Sequence, residues 1–227
     1  MYARRLLPNE TYNVRDLGGY PTADGNVTRF GRFIRADMPE KLSEAGIRFL
    51  SGYGVNLVID LRMEFEAEER PSPFRRIPGV RYLLAPFAHD FDILGAPEFD
   101  PYYDYIRVLE RPNRLTAVME ELARSQGCAL FHCSAGKDRT GMVAALLLLL
   151  AGTPEPDVAA DYEITFTYLK GKYHDDIDIL PNSYRSDARF LDPLFARVRE
   201  SGGAGEFLLR RGVSAGALQA LKARLLE

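Results

Sequence analysis

The fold is decided by a short run of small, charged and nucleophilic side chains, His132-Cys133-Ser134-Ala135-Gly136-Lys137-Asp138-Arg139-Thr140-Gly141. The apolar stretch Cys128 to Phe131 comes before it and predicts a short buried strand. The stretch Met142 to Ala151 follows it, is apolar on every face and predicts a buried helix. The run therefore lies on a strand-loop-helix turn, and in open α/β sheets ligands bind at the carboxyl ends of the strands.

A loop of this kind can bind an anion. Five residues separate Cys133 from Arg139, so backbone N–H groups of a tight loop can converge where the following helix presents its unpaired first-turn donors. Such a point attracts a phosphate dianion, and we expect phosphate or sulfate to bind there. Gly136 and Gly141 permit the close approach and the tight turn. The substrate-binding residues are predicted to be Ser134, Ala135, Gly136, Lys137 and Thr140.

Cys133 is predicted to be a nucleophile. At a helix N-terminus beside a guanidinium, the pKa of a thiol can fall from about 8.5 to roughly 3.5 to 7.5, so we expect a thiolate at neutral pH. Arg139 offers a planar fork for two phosphoryl oxygens, and Thr140 brings a hydroxyl within reach of the sulfur or of a loop carbonyl. A buried core cysteine beside a surface arginine is the simpler alternative. The agreement of strand, spacing and helix disfavours it.

These residues resemble the signature loop of the protein tyrosine phosphatase superfamily, which has His-Cys, five residues, Arg, and then Ser or Thr. The Gly-Lys-Asp-Arg-Thr ending is similar to the atypical bacterial branch, whose members act on phosphotyrosine, phosphoserine and lipid substrates. Other segments resemble further motifs of that branch: Asn13 to Tyr20, Arg35 to Asp37, Val58 to Arg62, and Gly212 to Ser214. The resemblance implies hydrolysis of phosphate monoesters through a phosphocysteine. No cofactor and no metal are expected, because the loop itself neutralises the phosphate.

The general acid is left open between the signature loop and an earlier loop. Most of the superfamily uses an Asp on a mobile loop, often in a Trp-Pro-Asp triplet, and this chain has no tryptophan. The resemblance favours Asp138, which matches the position suspected in the bacterial branch. Asp90 or Asp92 matches the usual loop by order along the chain. Asp138 could instead be a rim carboxylate that pairs with Lys137.

Lys137 is interpreted as a positive charge at the rim of the loop, where it could hold a second phosphate of an inositol lipid. A surface lysine without a role is the alternative. In the resembling branch a lysine at this place accompanies phosphoinositide activity.

Several other charges stand at the ends of predicted strands or turns and could support the loop from behind. Ordinary surface ion pairs are the alternative. His132 is added to this supporting group, whereas His89 and His174 are interpreted as surface residues without a metal. The charged residues of the group are Arg15, Asp16, Arg35, Asp37, Asp60 and Arg62.

Length and composition narrow the class of protein. A chain of 227 residues that is 46% hydrophobic suits one α/β domain, residues 1–227. The net charge of −3 argues against nucleic-acid and anionic-membrane binders. No signal peptide or membrane span is evident. Two cysteines are too few for a disulfide framework, and Cys128 is interpreted as a residue that packs in the core. A cytoplasmic location is expected, although secretion without a signal peptide stays open.

The order of predicted elements gives the fold class. Asp24-Gly25 predicts an N-terminal β-hairpin between Gly19–Thr22 and Val27–Arg35. Strands alternating with helices then predict a central, mostly parallel sheet flanked by helices. The C-terminal third is predicted to be helical, and the irregular segments Ala85–Asp100 and Lys170–Asp187 are interpreted as a functional loop and part of a lid. The other predicted elements are a helix from Ser43 to Ser51, strands Val55–Asp60 and Val80–Leu84, and helices Pro101–Glu110, Asn113–Ser125, Glu155–Leu169, Ala188–Glu200, Gly205–Arg210 and Ala215–Leu226.

The sequence thus predicts a phosphatase for phosphotyrosine in proteins, with phosphoserine, phosphothreonine and phosphoinositides as further substrates. A catalytically inactive module that recognises phosphorylated partners is the alternative. A sulfur-transfer or arsenate-reducing enzyme is a third reading, but it would require a different loop length or a resolving cysteine near the first.

Overall fold

The computed structural model describes residues 3–8, 10–87, 100–110, 114–173 and 185–227. Its sheet has the strand order β1-β2-β5-β3-β4, in which β1 and β2 are antiparallel and every other pair is parallel. The predicted α/β class with a mostly parallel sheet is confirmed. The strands are β1 Arg15–Asp16, β2 Phe33–Ala36, β3 Val55–Asp60, β4 Arg81–Leu84 and β5 Cys128–His132.

Helices surround this sheet and make up most of the chain after β5. The side chain of Ser43 caps the first helix by accepting a hydrogen bond from the Gly46 amide, the contact that an N-cap serine commonly makes. None of the helices in the described ranges is long and apolar enough to cross a membrane. They are α1 Glu44–Gly52, α2 Glu64–Glu69, α3 Pro101–Glu110, α4 Leu115–Arg124, α5 Asp138–Ala151, α6 Glu155–Tyr173, α7 Asp192–Glu200, α8 Ala204–Leu209 and α9 Ala215–Leu226, with 3-10 helices at Pro73–Arg76 and Ala188–Leu191.

The N-terminal antiparallel pair is present, but its strands differ from the predicted ones. The paired residues are those of β1 and β2, further from the Asp24-Gly25 turn than expected. Near that turn the chain forms a single bridge between Pro21 and Val27. The reason lies in the buried turn after β1, where Asp16 accepts hydrogen bonds from the amides of Gly18 and Gly31 and thereby fixes the outer pair.

Three helical segments also differ from the prediction. The charged stretch after Arg62 contains α2, because Glu66 accepts a hydrogen bond from the Met63 amide and acidic residues favour a helix N-terminus. Helix α6 continues to Tyr173, so the prediction of a loop from Lys170 was wrong at its start. Residues 174–184 lie outside the described part, and the lid stays a prediction. The helix predicted from Ala188 to Glu200 is divided, with Pro193 in the first turn of α7.

Helix α5 forms the centre of the core. It is apolar all round, and it packs against β2 and β5 on one side and against helices α3, α6, α8 and α9 on the other. Leu146 is 0% exposed, whereas Leu149, on the same helix, is only partly buried. Because the signature loop leads directly into α5, the packing of this helix fixes the position of the loop.

Shortening Leu146 should therefore destabilise the fold. Leu146→Ala is expected to lower the free energy of unfolding by about 2 to 5 kcal/mol, because the lost side chain leaves a cavity that the surrounding residues fill only in part. Urea unfolding followed by circular dichroism measures this. Leu149→Ala is the matched control and should lose clearly less, because Leu149 is only partly buried. Equal losses would contradict the assignment of Leu146 to the more deeply buried side of α5.

Candidate active site

The signature loop lies at the carboxyl ends of the parallel strands. His132 ends β5 and is level with Ala36 of β2 on one side and Asp60 of β3 on the other. Cys133 follows directly, and α5 begins at Asp138. The predicted strand-loop-helix turn is therefore observed. Cys133 is 3% exposed, and it interacts with Arg139 in the first turn of the helix.

Arg139 is held in place by Glu66 of α2. Its two terminal nitrogens donate to the two carboxylate oxygens of Glu66 at 2.5 and 3.0 Å, and Ser134 donates to the same carboxylate at 2.9 Å. Burial favours the neutral carboxyl, but the hydrogen bonds and charge of Arg139 outweigh it and lower the pKa of Glu66. Burial likewise opposes the charge of Arg139, yet the hydrogen bonds to Glu66 and the interaction with Cys133 raise its pKa. The guanidinium therefore stays charged and fixed.

Carbonyl groups of the loop are held by donors outside it. The Asn13 side chain donates to the carbonyls of Ala135 and Gly136 at 3.0 and 3.2 Å, and Arg35 donates to the Gly136 carbonyl at 2.7 Å. In a trans peptide the N–H points opposite to the C=O, so these contacts turn the adjoining amides toward the inside of the loop. That is the orientation an oxyanion requires.

Gly136 is required by both its conformation and its surroundings. Its φ of 68° is in the left-handed region. A Cβ atom there would meet the backbone of Ala36 and Asp37 at 2.5 to 2.7 Å. The loop thus lies directly against the end of β2.

Beneath the loop a carboxylate is buried between two arginines. Asp161 of α6 accepts from Arg15 Nε at 2.7 Å, from Arg35 Nη1 at 2.5 Å and from the Tyr20 hydroxyl at 2.6 Å. Burial would raise the pKa of Asp161, but the charges of the two arginines outweigh it and lower that pKa well below its usual value. Asp161 could not be identified from the sequence, because a single acid gives no sign of burial. Asn13 belongs to the segment Asn13 to Tyr20 that resembles a family motif, but no contact with the loop was predicted for it.

All six charged residues of the predicted supporting group are buried, so the alternative of surface ion pairs does not hold. Asp37 accepts from the Asn13 amide at 2.8 Å, next to the Asn13 side chain that holds the loop. Asp60 accepts from Arg62 at 2.6 Å and from the Tyr82 hydroxyl at 2.6 Å. Arg15 and Arg35 meet at Asp161, and Asp16 accepts from the hydroxyl of Tyr53 at 2.6 Å.

His132 is fully buried behind the nucleophile. One ring nitrogen is 3.0 Å from the carbonyl oxygen of Cys133, and the other is 3.1 Å from the hydroxyl of Ser72. Burial lowers the pKa of His132, so the ring is neutral at pH 7 and can donate one proton and accept another. It thereby fixes the backbone at the point where the strand becomes the loop.

Asp138 is bonded from two sides at one oxygen. Oδ1 accepts from the ammonium group of Lys137 at 2.5 Å and from the Tyr105 hydroxyl at 2.6 Å. Tyr105 is in turn 2.5 Å from the hydroxyl of Tyr162. Lys137 is only 3% exposed, so it is neither an open rim charge nor the surface lysine of the alternative reading. Its ammonium group donates to Asp138, which is the pairing named in the alternative reading of Asp138.

The structure tests the expectation for Thr140 but not those for Asp90 and Asp92. The Thr140 hydroxyl is buried and has no hydrogen-bond partner within the described ranges, so it forms neither of the predicted bonds to sulfur or carbonyl. Asp90 and Asp92 lie outside the described residues, as do His89 and His174. In the part of the chain that is described, no cluster of three or more His, Cys, Asp or Glu side chains could hold a metal.

A separate cavity of about 650 Å³ lies between α3 and α7. Its lining includes Tyr102, Ile106, Phe195 and Arg199, and no residue of the signature loop is among those described there. Because it lies apart from Cys133 and Arg139, we assign it no part in the chemistry.

The buried carboxylates should make the fold sensitive to acid. Burial would raise the pKa of Asp60, but interactions with His132, Arg62 and Tyr82 lower it from the usual 3.8 to about 2. A lowered pKa stabilises the fold above pH 3.8, and this contribution is lost as the pH falls toward 2. Urea midpoints measured from pH 5 to pH 2 should therefore fall, and fall less steeply in Asp60→Asn. The exposed Asp192→Asn is the control, and an unchanged slope in Asp60→Asn would contradict the assignment.

This chain is similar in sequence to known tyrosine phosphatases. A model described as a tyrosine phosphatase family matches residues 7–227. A tyrosine-protein phosphatase of Nostoc commune is 31% identical over 216 residues, which are 85% of this chain and 74% of that protein. The triple specificity protein phosphatase PtpB of Mycobacterium tuberculosis is 30% identical over 195 residues, 70% of this chain and 68% of PtpB.

One further relative is covered over a smaller share of its length, and a solved structure is similar to this chain only at low identity. The chain spans 59% of the length of a further relative, from Cupriavidus necator. The solved structure of P. aeruginosa TpbA with pTyr has 16% identity and a TM-score of 0.40, and it covers 75% of this chain and 86% of TpbA. The match over residues 7–227 confirms the predicted resemblance. It also confirms, at the level of the family, the prediction of a phosphatase. The chain belongs to the tyrosine phosphatase family.

Proposed function

We propose that this chain, as one phosphatase domain over residues 1–227, hydrolyses phosphate monoesters through a phosphocysteine on Cys133. The observation that carries the proposal is the arrangement around that thiol. A buried cysteine lies at the start of α5, beside a guanidinium fixed by Glu66 and inside a loop whose carbonyls are held outward. This arrangement favours a dianion in line with the sulfur.

In the proposed reaction the Cys133 thiolate attacks phosphorus, and the bond from phosphorus to the leaving oxygen breaks. Arg139 and the loop amides stabilise the charge that spreads over the phosphoryl oxygens. Glu66 occupies two of the five N–H donors of the guanidinium, which leaves three for the substrate. Water then hydrolyses the phosphocysteine, which releases phosphate and restores the thiol.

We propose Asp138 as the general acid that gives its proton to the leaving oxygen and takes one from the attacking water in the second step. It stands at the mouth of the loop and its side chain is 22% exposed, so a bound ester can reach it. Asp90 and Asp92 remain the alternative donors.

Phosphotyrosine in proteins is the proposed main substrate. The name of the M. tuberculosis relative, a triple specificity phosphatase, supports phosphoserine and phosphothreonine as further substrates. Lys137 is paired with Asp138, so an inositol lipid would have to compete for it, and we place phosphoinositides behind phosphoproteins. A cytoplasmic location is also proposed, in keeping with two cysteines that are both free thiols.

The first test is turnover of p-nitrophenyl phosphate. Cys133→Ser should lose activity by at least about a thousandfold, because the serine hydroxyl is not ionised at neutral pH. Cys128→Ala is the matched control, since Cys128 is a buried packing residue whose pKa burial raises, and it should retain activity. A wild-type protein that binds phosphotyrosine peptide but releases no phosphate would instead support the inactive binding module.

A second test separates the candidate acids. Asp138→Asn should slow the hydrolysis of phenyl phosphate by about a hundredfold or more, because phenoxide needs a proton to leave. The hydrolysis of p-nitrophenyl phosphate should slow far less. Asp90→Asn and Asp92→Asn are compared with it by the ratio of the two rates. Should the ratio change in one of these and stay constant in Asp138→Asn, the acid lies on the earlier loop.

A further inference from the structure

A pair of buried tyrosines lies next to the proposed acid, and no motif assigns them a role. Tyr105 contacts Asp138, and Tyr162 contacts Tyr105. Tyr105 of α3 and Tyr162 of α6 are both almost fully buried, and their hydroxyls are 2.5 Å apart. The hydroxyl of Tyr105 is also 2.6 Å from Asp138 Oδ1. A chain of hydrogen bonds thus runs from Tyr162 of α6 through Tyr105 of α3 to the Asp138 carboxylate at the start of α5.

The direction of these hydrogen bonds follows from the chemistry. A carboxylate can only accept, so the single proton of Tyr105 is donated to Asp138. The oxygen of Tyr105 is then left to accept the proton of Tyr162. Burial, together with the charge of Asp138, raises the pKa of both phenols well above 10, so both keep their protons throughout the pH range of the reaction.

We propose that Tyr105, held by Tyr162, is a positioning residue that orients Asp138 and leaves Oδ2 as the oxygen whose proton passes to the leaving group. The inference rests on the proposed function of Asp138. Lys137 and Tyr105 both donate to Oδ1, so the acidic proton must be on Oδ2. In the step, the bond between Oδ2 and its proton breaks while the leaving oxygen gains that proton and separates from phosphorus.

Other charges also act on this group of side chains. Lys137 and Arg139 act on Asp138 from the loop, and Cys133 lies beside Arg139. Arg35 and Asp187 act on Tyr162 with opposite signs. None of these charges changes when a phenol is replaced by a phenyl ring. Tyr105→Phe removes the hydrogen bonds of one hydroxyl, to Asp138 and from Tyr162, whereas Tyr162→Phe removes only the second.

Tyr105→Phe is expected to change the pH dependence of the reaction. Without the phenol, the Asp138 carboxylate loses a donor, and the alkaline limb of kcat for phenyl phosphate should move up by roughly one pH unit. At the pH optimum, kcat for phenyl phosphate should fall by about tenfold because Asp138 is no longer held in its orientation. The kcat for p-nitrophenyl phosphate should change little. Tyr162→Phe should shift the limb in the same direction by less, because it acts through Tyr105.

Controls separate this role from plain packing. Tyr103→Phe makes the same change on α3 at a residue that is 67% exposed, and it should match the wild type. Tyr105→Phe combined with Asp138→Asn should be no slower than Asp138→Asn alone, because Tyr105 acts through Asp138. Urea unfolding of each variant shows that the fold is retained.

The outcomes distinguish the two proposals. If Asp138→Asn alters the ratio of the two substrates while Tyr105→Phe keeps the wild-type limb and ratio, the positioning role is wrong and the acid stands. Losses that add in the double variant would also overturn it. If Asp138→Asn itself leaves the ratio unchanged, the assignment of the acid fails, and the positioning role fails with it.

Discussion

The site depends on a carboxylate buried between two arginines. Asp161 of α6 accepts hydrogen bonds from Arg15 of β1 and Arg35 of β2. Arg35 also donates to the carbonyl of Gly136. Taking three charges out of water costs several kcal/mol for each ion, and only good geometry with further hydrogen bonds offsets this. Tyr20 and Thr165 supply two of these bonds. The sheet, α6 and the loop are therefore fixed relative to one another by a single connected group.

Glu66 plays the corresponding part in front of the loop. It joins α2 to both ends of the signature run by accepting from Ser134 and from Arg139. The nucleophile thus lies between two anchored surfaces, one behind the loop at Arg35 and one in front at Glu66. Neither anchor touches the thiol, but both determine where the donors around it point, which is the electrostatic preorganisation that oxyanion stabilisation requires.

The part of the site that could be predicted from sequence is contiguous. Nucleophile, arginine and flanking apolar runs all fall between Cys128 and Ala151, so spacing and periodicity carry the information. Glu66 could not be found in this way, since it is 73 residues from Arg139 and lies in a stretch of charges without an apolar period. Asp161 is 126 residues from Arg35, and Tyr105 is 33 residues from Asp138. Such pairings follow from the topology, in which β5 lies between β2 and β3, and no local pattern encodes them.

The apolar helix α5 links the site to the stability of the whole domain. The loop leaves a fully buried strand and enters a helix with almost no solvent-facing side, so it has no flexible joint at either end. Local opening of the loop would expose a large part of the core, and its free energy must approach that of global unfolding. Backbone amides of α5 beyond its first turn should then exchange with solvent as slowly as those of β5, because neither element can open without disrupting the core.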